Sequence, residues 1–104
     1  MKRAEYLPSA KLDLKDLRLY LTQSSGSRDV SRKFISRLRS HCDHLASLPF
    51  LMGKDRPDLG LDFRSTAFEA YVILFRYQGG RFQVVNVLEG HRDILGYFST
   101  TNPE

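Results

Sequence analysis

The chain has 104 residues, is 41% hydrophobic and 27% charged, and carries a net charge of +4 at pH 7. That length makes a single domain, residues 1–104, whose one modest core leaves little room for a deep ligand pocket, since a chain of this size buries roughly two-thirds of its unfolded surface. Ordinary composition excludes general disorder, and a lone cysteine, Cys42, excludes an internal disulfide and fits a reducing compartment.

The opening MKRAEYLPSAK lacks the apolar core of a secretory signal, and no stretch approaches the ~20 apolar residues of a membrane span. A cytoplasmic protein without a membrane partner is expected. Positive charge biases association toward nucleic acid, ribosomes or acidic protein segments. Six of the cations, Lys54, Arg56, Arg64, Arg76, Arg81 and Arg92, fall in the second half of the chain.

Arg3 to Leu7 reads as a short strand ended by Pro8, which cannot donate to a ladder. Ser9 then offers an N-cap. Ala10, Leu14, Leu17 and Leu21 share one helical face, which predicts a helix over 10–23. Leu12 and Leu19 fall on nearly the opposite face, where they read either as isolated exposed leucines or as a groove for a partner. Ser24 to Ser27 makes a turn. A second helix runs from Arg28 to Leu48, with Val30, Phe34, Leu38, His41, Cys42, Leu45 and Leu48 as its apolar stripe and Pro49 as its stop. The short connection predicts an antiparallel helical hairpin.

Residues 49–62 read as a loop rich in Gly, Pro and Asp. Three strands follow: Phe63–Phe68, Tyr71–Tyr77 and Phe82–Glu89. The middle one is apolar on both faces and therefore central. Gly79 and Gly80 supply hairpin chemistry, because glycine accepts positive φ. Asp93 to Phe98 adds a final helical turn before a fraying tail. The order is β-α-α-β-β-β, an α+β fold with the hairpin packed on one sheet face. Arginines from neighbouring strands are expected to converge on the other face or its rim.

Several chemistries find little support. His41-Cys42-Asp43-His44 brings three ligand types together, but His41 and Cys42 belong to the apolar stripe and no second cluster completes a tetrahedral set. Cys42 on that stripe lacks the access and lowered pKa of a nucleophile. Gly79-Gly80 lies between strands, not at the strand-to-helix turn of a phosphate loop. No metal and no cofactor is expected. The arginines remain. Arg64, Arg76 and Arg92, joined by His91, could grip phosphate or carboxylate with planar guanidiniums, or simply solvate a sheet face.

The combination of Arg56-Pro57-Asp58-Leu59, then Arg64, an apolar strand, and Val87-Leu88-Glu89-Gly90-His91-Arg92-Asp93-Ile94 resembles the RelE/ParE superfamily of bacterial type II toxins, most closely its ParE branch. The resemblance spans nearly the whole chain. It implies a helical hairpin on a small, mainly antiparallel sheet, and a toxin held in a hetero-oligomer by a cognate antitoxin with an acidic, disordered tail. ParE-like members poison DNA gyrase; RelE-like members cut mRNA on the ribosome. The Gly-His-Arg-Asp-Ile phrase favours gyrase, with Arg56, Arg64, Arg76, His91 and Arg92 as target contacts and no catalyst required. In the ribonuclease alternative His91 or Tyr97 would move protons. Leu12 and Leu19 would anchor the antitoxin.

Overall fold

The computed structural model describes residues 3–60 and 62–90. In chain order the elements are β1 (Glu5–Tyr6), α1 (Pro8–Ser25), α2 (Arg28–Ser47), β2 (Lys54–Asp55), β3 (Phe63–Phe68), β4 (Tyr71–Gln78) and β5 (Arg81–Glu89). The five strands form one sheet in the order β1-β5-β4-β3-β2, antiparallel except where β1 runs parallel to β5. The helical hairpin covers one sheet face, so the α+β architecture is as expected. The last helical turn expected over 93–98 lies outside the described residues.

Local chemistry sets the helix ends. Pro8 does not merely end β1; it occupies the first turn of α1, where its fixed φ suits the helix and its missing N–H costs nothing. Leu7 is therefore the N-cap, and Ser9 is not: its hydroxyl donates to the Val85 carbonyl at 2.5 Å, tying α1 to β5. Gly26 closes α1 in the left-handed region (φ 72°), its N–H bonded to the Thr22 carbonyl at 2.8 Å. Ser27 then caps α2, accepting the Val30 N–H at 3.2 Å. Two residues thus reverse the chain, and the helices pack antiparallel.

The core lies between hairpin and sheet. Ala10, Leu14 and Leu17 of α1 and Phe34, Leu38, Cys42 and Leu45 of α2 meet Ile73 and Phe75 of β4 and Phe82, Val84 and Val87 of β5. Phe75 is fully buried, stacked on Phe82 with ring centroids 4.5 Å apart and met edge-on by Tyr77. Val30 does not join the apolar stripe; it is 49% exposed. Ser31 takes the inward place one residue on, its hydroxyl 2.8 Å from that of Thr22 across the hairpin.

β4 is central, as its two apolar faces require. Gly79 and Gly80 turn it into β5 with φ of 60° and 76°, the two positive values of a tight hairpin. A bulge opposite Leu74 and Phe75 admits Val85 as an extra residue in β5. The stretch 49–62 is not wholly a loop. Lys54 and Asp55 pair with Ser65 and Arg64, and the Arg56 N–H extends the pairing to the Phe63 carbonyl at 2.8 Å. Two exposed charged residues at a sheet edge carry no periodic signal, which is why the strand was not foreseen.

His41 sits half-buried beside the Phe68 ring, centroids 5.1 Å apart, with its Nε2 sealed from water and unbonded among the described residues. Desolvation first, then the charge of His44, lowers its pKa below the usual 6.5. The unfolded chain therefore binds the proton more readily, and stability must fall as pH drops below about 6.5. The urea midpoint should decline between pH 7 and 5.5, and the decline should shrink in His41→Phe; an equal decline in both would remove His41 as its source.

Candidate functional site

Strand alternation decides which face each arginine serves. Tyr71, Ile73, Phe75 and Tyr77 of β4 point toward the helices; Val72, Leu74 and Arg76 point away. Arg64 pairs with Phe75 and so lies on the helix side, whereas Arg76 pairs with Phe63 on the opposite side. The two guanidiniums expected to converge are separated by the sheet.

Each sheet arginine is also held by its own surroundings. Arg64 donates from Nε to the Met52 carbonyl (2.7 Å) and from its terminal nitrogen to the Gly53 carbonyl (3.1 Å), with Asp55 at 4.0 Å. It braces the segment ahead of β2. Arg56 makes a two-pronged contact with Asp58 at 3.0 and 2.9 Å, which holds the Asp58 carboxyl below its usual range and raises the guanidinium's pKa. Arg76 donates to the Gln83 side chain at 3.0 Å, and Arg81 pairs with Glu5 at 3.1 Å. His91, Arg92 and Tyr97 lie outside the described residues.

The face away from the helices is not a bare cationic platform. Leu74 and Leu88 are buried there, with Leu59, Phe63 and Val72 packed against them. Arg56 and Arg76 stand beside this apolar patch. Leu74 and Leu88 are themselves out of a partner's reach, so among the described residues this face meets its surroundings through half-buried Leu59, Phe63 and Val72 and the arginines beside them. Among the described residues it does not gather the unpaired charge that a phosphate-cleaving centre needs.

The tetrad 41–44 disperses. Cys42 is fully buried against Tyr6, and burial pushes its thiol up to about 11, so it is no ready nucleophile. Asp43 accepts the Ala4 N–H at 3.0 Å. Among the described residues no group of three or more His, Cys, Asp or Glu side chains is placed to hold a metal ion.

On the helical side, Leu12 and Leu19 are 62% and 50% exposed, placing both on the outward crest of α1. Tyr20 beside them is also exposed. Sequence reasoning passed over Tyr20 and the charged residues flanking this crest, although a helical projection of residues 8–25 displays them.

The described residues form a two-layer α+β domain whose exposed large apolar side chains on the helical side include Leu12, Leu19 and Tyr20. The comparisons identify its family. Residues 4–94 match the family model described as the ParE toxin of the type II toxin–antitoxin system parDE, so the chain belongs to the ParE toxin family. A structure of the chromosomal ParDE toxin–antitoxin system from P. aeruginosa shares the fold, with a TM-score of 0.72 and 14% identity over 86% of this chain and 96% of that one. No curated protein sequence matches the chain.

Proposed function

We propose that this ParE-family toxin acts in the bacterial cytoplasm by binding DNA gyrase, blocking replication until a cognate antitoxin sequesters it. The observation that carries this reading is the engagement of the sheet arginines. Arg56 and Arg64 are committed to Asp58 and to backbone carbonyls, and Arg64 and Arg76 lie on opposite faces. A ribonuclease of this size would need cations free and gathered at one phosphate; an inhibitor that grips a protein needs only complementary surface.

Arg56 and Arg76, with half-buried Phe63 and Val72, are the proposed contacts on the sheet, and His91 and Arg92, which follow β5 in the sequence, are proposed to join them. Arg64 serves instead as a brace. Leu12 and Leu19 are proposed as antitoxin anchors. No described helix is long and apolar enough to cross a membrane.

Purified protein at micromolar concentration should slow supercoiling by gyrase or trap linear plasmid, and should leave ribosome-bound mRNA whole. Unaffected gyrase would overturn the proposal. Cutting of mRNA within codons, lost in His91→Ala, would establish the ribonuclease alternative in its place.

A further inference from the structure

The cations of the helical hairpin are gathered, unlike those of the sheet. Lys11, Lys15 and Arg18 recur at helical spacing and share the flank of α1 that faces α2. Arg28, Arg32 and Arg39 share one face of α2 by the same rule and meet them across the seam. Together they line two depressions, of about 530 Å³ and about 270 Å³, that adjoin at Arg18. No carboxylate lines either one.

This charge is exposed and mostly uncommitted. Among the described residues Lys11, Lys15, Arg18, Arg28 and Arg39 make no ion pair, and Arg32 pairs with Asp29 alone. Arg39 lies over the Tyr6 ring, 4.6 Å from its centroid, which fixes the guanidinium without neutralising it. The sheet arginines differ: Arg56 and Arg81 each hold a carboxylate.

Positive charge on both walls of one seam suits a polyanion charged across its whole width. An acidic helix presents carboxylates along one edge and answers one wall. A nucleic-acid duplex carries a phosphate for every ~1.7 Å of axis. The cation rows run about 10 Å along α1 and about 16 Å along α2, the reach of several phosphates. What the seam lacks narrows the ligand further. No aromatic ring lines it to stack unpaired bases, and no histidine or tyrosine lines it to move a proton. The seam is fitted to hold an intact paired backbone, not to stack bases or cut.

We propose that the α1–α2 seam binds the phosphate backbone of duplex DNA without reading its sequence. Binding to a duplex follows from the seam itself; the choice of DNA over an RNA duplex rests on the gyrase reading, which puts the toxin beside DNA held by its target. One molecule then touches both the enzyme and its substrate.

The probe is a fluorescein-labelled DNA duplex of about 20 base pairs, titrated with the full chain and followed by anisotropy. Affinity should be micromolar at low salt, and log K should fall with log salt at a slope of about −4 to −5, as about five phosphate contacts require. Lys15→Gln with Arg18→Gln should weaken binding at least about tenfold and make the slope shallower by about 2. Lys54→Gln with Arg81→Gln removes the same charge from the sheet and should shift affinity less than about twofold. All four positions are exposed, and melting curves establish that each variant folds. Equal losses in the two variants would reduce the effect to net charge and overturn the proposal. So would no binding at low salt, tighter binding of an RNA duplex or a single strand of the same length, or equal competition by polyglutamate. Gyrase supercoiling is read separately: a chain that leaves gyrase untouched yet holds the duplex through Lys15 and Arg18 loses the gyrase reading alone.

Discussion

Gly53→Ala is expected to destabilise the protein by about 3–5 kcal/mol, read as a lower urea midpoint at unchanged slope. Gly53 sits at φ +73°, a region that a side-chain-bearing residue enters at a cost of order 1–3 kcal/mol. Space is the larger obstacle. An added Cβ would lie 2.6 Å from the Ser65 carbonyl oxygen and 2.7 Å from the Phe75 ring. The first belongs to the β3 backbone, paired on both sides; the second is fully buried against Phe82. Neither can yield without opening the sheet or the core. The neighbouring bonds would suffer too, since Arg64 holds the Met52 and Gly53 carbonyls and the Tyr77 hydroxyl accepts the Met52 N–H at 3.0 Å. Gly79→Ala is the control. It also has positive φ, but nothing lies within 4 Å of its added Cβ. It should show the backbone cost alone, about 1 kcal/mol. Equal losses at the two sites would refute the steric account.

Gly53 also illustrates where sequence stopped being informative. Periodicity exposed α2, β4 and β5 because their inward residues recur at the right interval and tertiary packing uses those same residues. The segment 49–62 has no such recurrence. Its structure comes from partners far along the chain: Ser65 and Arg64 for β2, Tyr77 for Met52, and Phe75 for the demand on Gly53. The arginines failed for a related reason. A side chain's face follows from register, and a slip of one residue reverses it. Nothing in the sequence states that Phe63 stands opposite Arg76, so the separation of Arg64 from Arg76 could not be read. The charge order of α1 is a different case. Lys11, Asp13, Lys15, Asp16 and Arg18 give their sides directly on a helical projection, but a count of charges cancels them. The exposed leucines between them were legible for the same reason that the inward stripe was.

Asp13→Ala should cost about 3 kcal/mol and strip protection from the Val87 amide in hydrogen exchange. β1 pairs with β5 at Gln83 and Val84, so among the described residues the edge of β5 beyond that point has no strand beside it. α1 supplies the missing partners. Ser9 donates to the Val85 carbonyl, and one Asp13 oxygen accepts both the Val87 N–H and the Asn86 side-chain amide, each at 2.9 Å. Asn86 and Val87 are 4% and 6% exposed, so water cannot readily replace the carboxylate. Alanine would leave two buried donors unmet, at roughly 1–3 kcal/mol each. Asp13→Asn keeps one acceptor oxygen and should lose about half as much, which separates hydrogen bonding from side-chain volume. A loss below about 1 kcal/mol for alanine would mean that the edge finds other acceptors. The same bond holds the middle of α1 against β5, one residue from Leu12.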